Sequence, residues 1–353
     1  MSLSPQPEPS EQLKLAGAPF NNAQADLILR SSDEVPVHFR VFKLILSLAS
    51  PVFADMFNIA LPPPSETPHD EIQVVPLSEH STALDIALRH IYPVKRMPQT
   101  DTLRCASILA EFSRKYQVEA LYQSIIGYLR DSIKHDPVGV YSIAAAYGYD
   151  DIGADAARLC LTLPFSALRT PYIRYATAEH ISELFNYHVA CGQVASALAS
   201  SDQSWFSSLA QMEPGILTKY YRGNNCPECH GLDFVKSPSS ARKKKADRSS
   251  SGELGFHDYN SEDDDKELSE RKSGPLCLWN YFHRSAIVLA HHPTPEAIIT
   301  EAFVLQANDC PTCARYLRTY MIELSLAFGR AIKSATMQVR LVLCRAVVPA
   351  HTS

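Results

Sequence analysis

The sequence predicts an α+β N-terminal domain followed by a mainly α-helical C-terminal domain. Residues 25–30 and 35–41 alternate in polarity as the two strands of a hairpin do, with a polar turn at 31–34 between them. From residue 137 onward the apolar positions follow helical spacing, and no further strand pattern occurs. The 353 residues include 13 glycines and 24 prolines, which is typical of helices separated by proline-rich loops.

The N-terminal domain is predicted to span residues 21–135. After the hairpin come two short apolar helices at 42–50 and 51–57, and proline is favoured at a first helical position such as 51. A strand at 72–75 and helices at 80–91, 100–115 and 117–134 complete the domain. We expect its apolar faces to come from Phe39, Val41, Leu44, Leu48, Phe53 and Phe57.

The remaining segments divide by composition. Residues 1–20 are polar and proline-rich, which predicts a disordered tail. Residues 136–234 are predicted to be helical, and helices within 275–347 are expected to pack on them. Between these lies a charged stretch at 235–274 with almost no large apolar side chains. Such a stretch cannot repay the entropy of folding, so we expect a disordered insertion.

Composition excludes several classes of function. A net charge of −5 provides no overall attraction to nucleic acid or to anionic membranes. No apolar run approaches the ~18 residues that span a bilayer, and the first ten residues lack the apolar core of a secretory signal. We therefore expect a cytoplasmic or nuclear protein. Phosphate-binding glycine loops, G-x-S-x-G and H-E-x-x-H are absent from the sequence, which argues against an enzyme and identifies no catalytic residue.

Two Cys-x-x-Cys pairs form the strongest candidate metal site. Cys226, Cys229, Cys310 and Cys313 could together hold one structural zinc, because each pair can direct two thiolates at a tetrahedral ion. His230 or, less directly, Cys277 are substitute ligands. The alternative is four ordinary reduced thiols, and redox activity is disfavoured because neither pair follows a strand in a βαβ pattern. The protein requires no cofactor under either interpretation.

A basic run lies inside the charged insertion. It consists of Arg242, Lys243, Lys244, Lys245 and Arg248. Such runs serve as nuclear-import signals, which would favour a nuclear location. The alternative is solvated charge in a disordered loop, which has no specific role.

The hairpin and the two helices that follow it carry a family resemblance. Residues 25–30 and 39–57 resemble the opening of BTB/POZ domains in the order, spacing and type of residue. The matching positions are Asp26, Lys43, Ser50, Phe53 and Phe57. The helix that ends at 89–93 is similar to the third helix of that family. The family usually has a histidine at the position of Phe42, so the hydrogen bond of that imidazole is expected to be lost.

The resemblance implies interaction through protein surfaces, and it implies no chemistry. BTB domains commonly form homodimers, and in relatives the residues that match Asp26 and Lys43 line a charged pocket at the dimer interface. An exposed surface pair of little energetic value is the alternative for these two residues. The family also includes substrate adaptors of cullin-RING ubiquitin ligases and transcriptional regulators. The layout resembles that of fungal BTB proteins with a helical C-terminal half.

Overall fold

The structure is a computed structural model that describes residues 14–59, 72–95, 100–200, 276–306 and 311–341. The described residues belong to two compact units. The first unit comprises the described residues up to Cys160 together with Arg169–Ser182. The second comprises Leu161–Leu168 and the described residues from Glu183 onward.

A four-stranded sheet opens the first unit, with the strand order β1-β3-β2-β4. The predicted hairpin is confirmed: β2 and β3 are antiparallel, and Leu27 lies opposite Val41. β1 is parallel to β3, and β4 is parallel to β2. Alternate residues of the hairpin are buried, as the alternating pattern requires. The strands are β1 (Lys14–Leu15), β2 (Leu27–Arg30), β3 (Val37–Val41) and β4 (Gln73–Pro76).

Five helices and one short 3-10 helix, Glu119–Leu121, cover this part of the first unit. The helices are α1 (Lys43–Ala49), α2 (Pro51–Ile59), α3 (Ser81–Ile91), α4 (Thr102–Tyr116) and α5 (Tyr122–Ser132). The Asp101 side chain caps α4 by accepting the Arg104 N–H at 2.9 Å. α4 ends where Gln117 adopts a left-handed backbone conformation with φ 53°.

Stacked aromatic rings fill the core between α2 and α4. Phe53 is fully buried, and its ring lies nearly parallel to that of Tyr116, with a centroid distance of 4.5 Å. Phe57 and Phe112 contact the same ring of Phe53. These contacts bury Phe53 and Phe57, as the sequence predicts.

The segment that precedes β2 corrects one prediction. Residues 14–20 are not a disordered tail, because β1 pairs with β3 and Phe20 is fully buried. The Phe20 ring packs between Phe39 and Tyr92, and the Arg89 guanidinium donates to the Ala18 carbonyl oxygen. The burial of one large aromatic side chain therefore orders a segment whose composition is polar. Residues 1–13 lie outside the described residues.

Two further helices continue the first unit, α6 (Pro137–Tyr147) and α7 (Asp150–Cys160), and both are followed by the 3-10 helix Pro171–Tyr175. α6 is apolar on nearly all sides, and residues 137–145 are buried. Asp136 caps α6 by accepting the Gly139 N–H, and its second carboxylate oxygen accepts the hydroxyl of Thr170. α6 packs against α4, α7 and the 3-10 helix.

The second unit is helical. Its elements are a short 3-10 helix Phe165–Ala167, α8 (Ala178–Ala199, from Glu183 onward), α9 (Leu276–Leu289), the 3-10 helix Pro295–Ala297, α10 (Glu301–Leu305) and α11 (Pro311–Gln338). Tyr281, Phe282 and Phe328 form its buried aromatic centre, and Ala195 and Ala199 of α8 belong to the same cluster. The predicted insertion at 235–274 lies outside the described residues.

Candidate functional site

The first turn of α1 is held by side chains from two other elements. The Lys43 N–H donates to Asp26 Oδ1 at 2.8 Å, and the Phe42 N–H donates to the Tyr92 hydroxyl at 2.7 Å. Phe42 itself provides no side-chain cap. Asp26 lies just before β2 and Tyr92 just after α3, so sheet and helix together fix the start of α1. Free backbone N–H groups at a helix start need such partners.

Asp26 and Lys43 are therefore neighbours, but they are not joined as an ion pair. Both residues lie in the described part of the chain, where no contact within 4.0 Å joins the Lys43 ammonium to the Asp26 carboxylate. Asp26 is exposed and Lys43 is half-buried. The carboxylate acts on the backbone of Lys43, which leaves the ammonium available for another group.

Tyr92 is a site residue whose role the sequence did not reveal. The family resemblance identifies an aromatic residue at this helix end, but not its bond to the Phe42 N–H. Burial raises the pKa of Tyr92 to about 12, against a smaller lowering by the Phe42 N–H, so the hydroxyl stays protonated at neutral pH. Its hydroxyl ties Phe42 through the backbone, so this contact needs no imidazole at that position.

α1 presents an exposed apolar face that consists of Leu44 and Leu48, here called the α1 leucine face. These side chains are 68% and 80% exposed, so the prediction that they belong to the core is wrong. Leu46, which lies between them, is fully buried. Residues four apart share one side of a helix, whereas a residue two away lies nearly opposite.

The packing of α1 explains this division. α1 contacts α2 and α3, and Leu46 faces this interior. A seven-residue helix can turn only one side to those neighbours, although nearly all of its residues are apolar. The two leucines on the outer side are the two most exposed large apolar side chains of the described residues. Exposed apolar patches of this kind mark interaction sites.

The candidate metal site and the basic run fall outside this geometry. Cys226, Cys229, His230, Cys310 and the basic residues 242–248 lie outside the described residues. Cys313 lies in α11 and Cys277 in α9, but their side chains are not described. Within the described ranges, no group of three or more His, Cys, Asp or Glu side chains could hold a metal ion. None of the described helices is long and apolar enough to cross a membrane.

A small sheet covered by helices, with an exposed apolar helix face and no reactive cluster beside it, defines a protein-interaction domain. Residues 18–133 match the model of the BTB/POZ domain family. The chain is therefore a BTB/POZ domain protein, and that family acts through protein–protein interaction. The search of curated proteins found no match to the chain.

Proposed function

We propose that this protein is a non-enzymatic interaction protein whose BTB/POZ domain forms a homodimer through the α1 leucine face. The observation that carries the proposal is the exposure of Leu44 and Leu48 on a helix whose other side is buried. Two copies that meet across a twofold axis would bury the same face from each side. That arrangement removes apolar surface from water at no cost in unpaired backbone groups, because α1 satisfies its own.

The charged residues beside this face suit a symmetric contact. Asp26 and Lys43 lie at the start of α1, with the Lys43 ammonium unpaired to Asp26 within one chain. In a twofold arrangement, an acidic group of one copy can meet a basic group of the other. We propose that Lys43 and Asp26 line a pocket that fixes the register of the dimer, while the leucines supply most of its affinity.

The solution mass of the full chain tests the proposal. Light scattering over a range of concentrations should give a dimer that dissociates on dilution. Lys43→Glu should weaken the dimer, because it places a carboxylate beside Asp26. Lys134→Glu makes the same charge change at an exposed position on the turn after α5 and should leave the dimer intact. A monomeric mass at every concentration would contradict the proposal.

A second candidate function is that of a substrate adaptor for a cullin-RING ubiquitin ligase. It is supported by the helix pair α6 and α7, which directly follows the matched residues 18–133 and packs on α4. Such helical extensions would lengthen a docking surface for a scaffold. A pull-down with purified cullin tests this function, and failure to bind leaves the self-associating scaffold.

A nuclear role and a structural zinc remain proposals from the sequence. Imaging of a variant with Lys243, Lys244 and Lys245 changed to Ala tests the import signal, and an unchanged distribution would rule it out. Metal analysis of the purified chain tests the zinc. Cys226→Ser should lower the metal content if Cys226, Cys229, Cys310 and Cys313 are the ligands. Full metal retention would contradict that assignment.

A further inference from the structure

A second surface of the first unit is built from tyrosine rings, and we call it the tyrosine surface. The rings come from the start of α5, the end of α6 and the 3-10 helix at 171–175. Ring centroids lie 5.9 Å apart for Tyr122 and Tyr149, 6.3 Å for Tyr147 and Tyr175, and 6.4 Å for Tyr172 and Tyr175. Tyr147 also acts electrostatically on Tyr149, so the two groups of rings are neighbours.

Two arginines hold the outer rings in place. The Arg114 guanidinium lies over the Tyr147 ring, 4.7 Å from its centroid, and the Arg174 guanidinium lies 5.3 Å from the centroid of Tyr175. Both arginines are exposed. Tyrosine and arginine are the residues that dominate binding energy at protein interfaces, because they bring large contact area and hydrogen-bond donors at a low cost in entropy.

The surface is accessible to a partner. Tyr122 is 49% exposed and Ile173 is 40% exposed, while the other four tyrosines are half-buried. Half-buried rings have one side packed on the protein and the other side open. The surface therefore offers fixed aromatic faces to a ligand, and binding would not need to order them first.

The charges around these rings do not favour an anionic partner. Arg114 and Arg174 are accompanied by Glu111, which acts electrostatically on Arg174, and by Asp101, which accepts a hydrogen bond from the Tyr172 hydroxyl at 3.3 Å. The Asp136 carboxylate lies near the same ring. Two cations among three carboxylates repel a phosphopeptide or a nucleic acid, whose recognition needs an excess of cations. A partner of low net charge is complementary to this surface.

Hydrogen-bond donors complete the chemistry. Burial raises the pKa of Tyr147 and of Tyr149 to about 12, so both hydroxyls stay protonated at neutral pH. A polyproline II segment has no internal hydrogen bonds, and its carbonyl groups remain free to accept bonds from such donors. Its pyrrolidine rings pack on aromatic faces.

From these observations we propose that the tyrosine surface binds a proline-rich segment of low net charge from a partner protein, held in the polyproline II conformation. Open aromatic faces, hydroxyl and guanidinium donors and the absence of excess positive charge together fit this class of ligand. The surface involves none of the residues of the α1 leucine face, so the proposal does not depend on self-association.

A fluorescein-labelled peptide of nine prolines, titrated with the full chain, tests the proposal by fluorescence anisotropy. Saturable binding is expected. Tyr175→Ala should weaken it about tenfold or more, the usual loss at a central interface residue. Arg174→Ala should also weaken it. Arg158→Ala replaces an exposed arginine of α7 that pairs with Asp155, and it should leave binding unchanged.

The remaining arms separate the proposal from its alternatives. Because Arg174 is exposed, its replacement leaves the fold intact even if Tyr175→Ala does not, and circular dichroism checks both variants. The Leu48→Asp chain should bind the peptide as the unchanged chain does. Three results would each overturn the proposal: no binding of the proline peptide, equal losses in Arg174→Ala and Arg158→Ala, or a preference for an acidic phosphotyrosine peptide or a DNA oligonucleotide.

Discussion

Three leucines of α1 provide a sharp test, because one short helix should show two different kinds of effect. Leu48 is 80% exposed in the single chain, whereas Leu46 is fully buried. Covering a whole leucine side chain is worth about 1.5–3 kcal/mol, so covering the exposed part of Leu48 in both copies of a symmetric dimer is worth about 2–5 kcal/mol. Leu48→Asp should therefore raise the dimer Kd by roughly 30-fold to several thousand-fold.

The same substitution should barely change the stability of the single chain. Leu46→Ala, in contrast, leaves a cavity and should lower the free energy of unfolding by about 2–5 kcal/mol. Sedimentation velocity over a dilution series measures the Kd, and urea denaturation below the Kd measures the stability of the monomer. Leu44→Asp should behave like Leu48→Asp, since both lie on the α1 leucine face.

The two assays can also refute the reasoning. An unchanged Kd in Leu48→Asp would mean that the dimer, if it forms, uses another surface. A loss of monomer stability in Leu48→Asp as large as that in Leu46→Ala would place Leu48 in the core. Either result would remove the observation on which the proposed function rests.

Three further predictions concern packing, capping and protonation. Tyr92→Phe leaves the Phe42 N–H without its acceptor and should lower the free energy of unfolding by about 1–3 kcal/mol, measured by urea denaturation. Gly192→Ala should destabilise the chain and lower its Tm, because the added Cβ would lie 2.5 Å from the Ala290 carbonyl oxygen, a clash that outweighs the gain in helix propensity. Burial lowers the pKa of His188, so the unfolded chain takes up its proton first: stability should be full above pH ~6.5 and fall below it, and His188→Gln should flatten this dependence, whereas the exposed His80→Gln should not.

Much of the first unit could be predicted from local patterns. The hairpin alternates in polarity over residues 27–41, and each strand buries one face, so period and pairing agree. The caps at Asp101 and Asp136 precede helices, as acidic caps commonly do. The family resemblance rests on the same residues, because a hairpin followed by two apolar helices is a local arrangement.

The order of residues 14–20 could not be predicted in this way. Their composition is polar, and a strand of two residues carries no pattern of its own. β1 exists because β3 offers it a partner, and Phe20 is buried because Phe39 and Tyr92 leave a place for its ring. Both reasons lie in residues distant along the chain.

By itself the sequence determined which elements form, in which order, and that the N-terminal third is an interaction domain of the BTB/POZ family. Only the tertiary structure decided which side of α1 faces water, because a helix of mostly apolar residues carries no periodic signal that separates Leu46 from Leu44 and Leu48. It likewise decided that Asp26 bonds the backbone of Lys43 and not its ammonium. Contacts between elements make such choices, and those contacts depend on three-dimensional packing that no local pattern encodes.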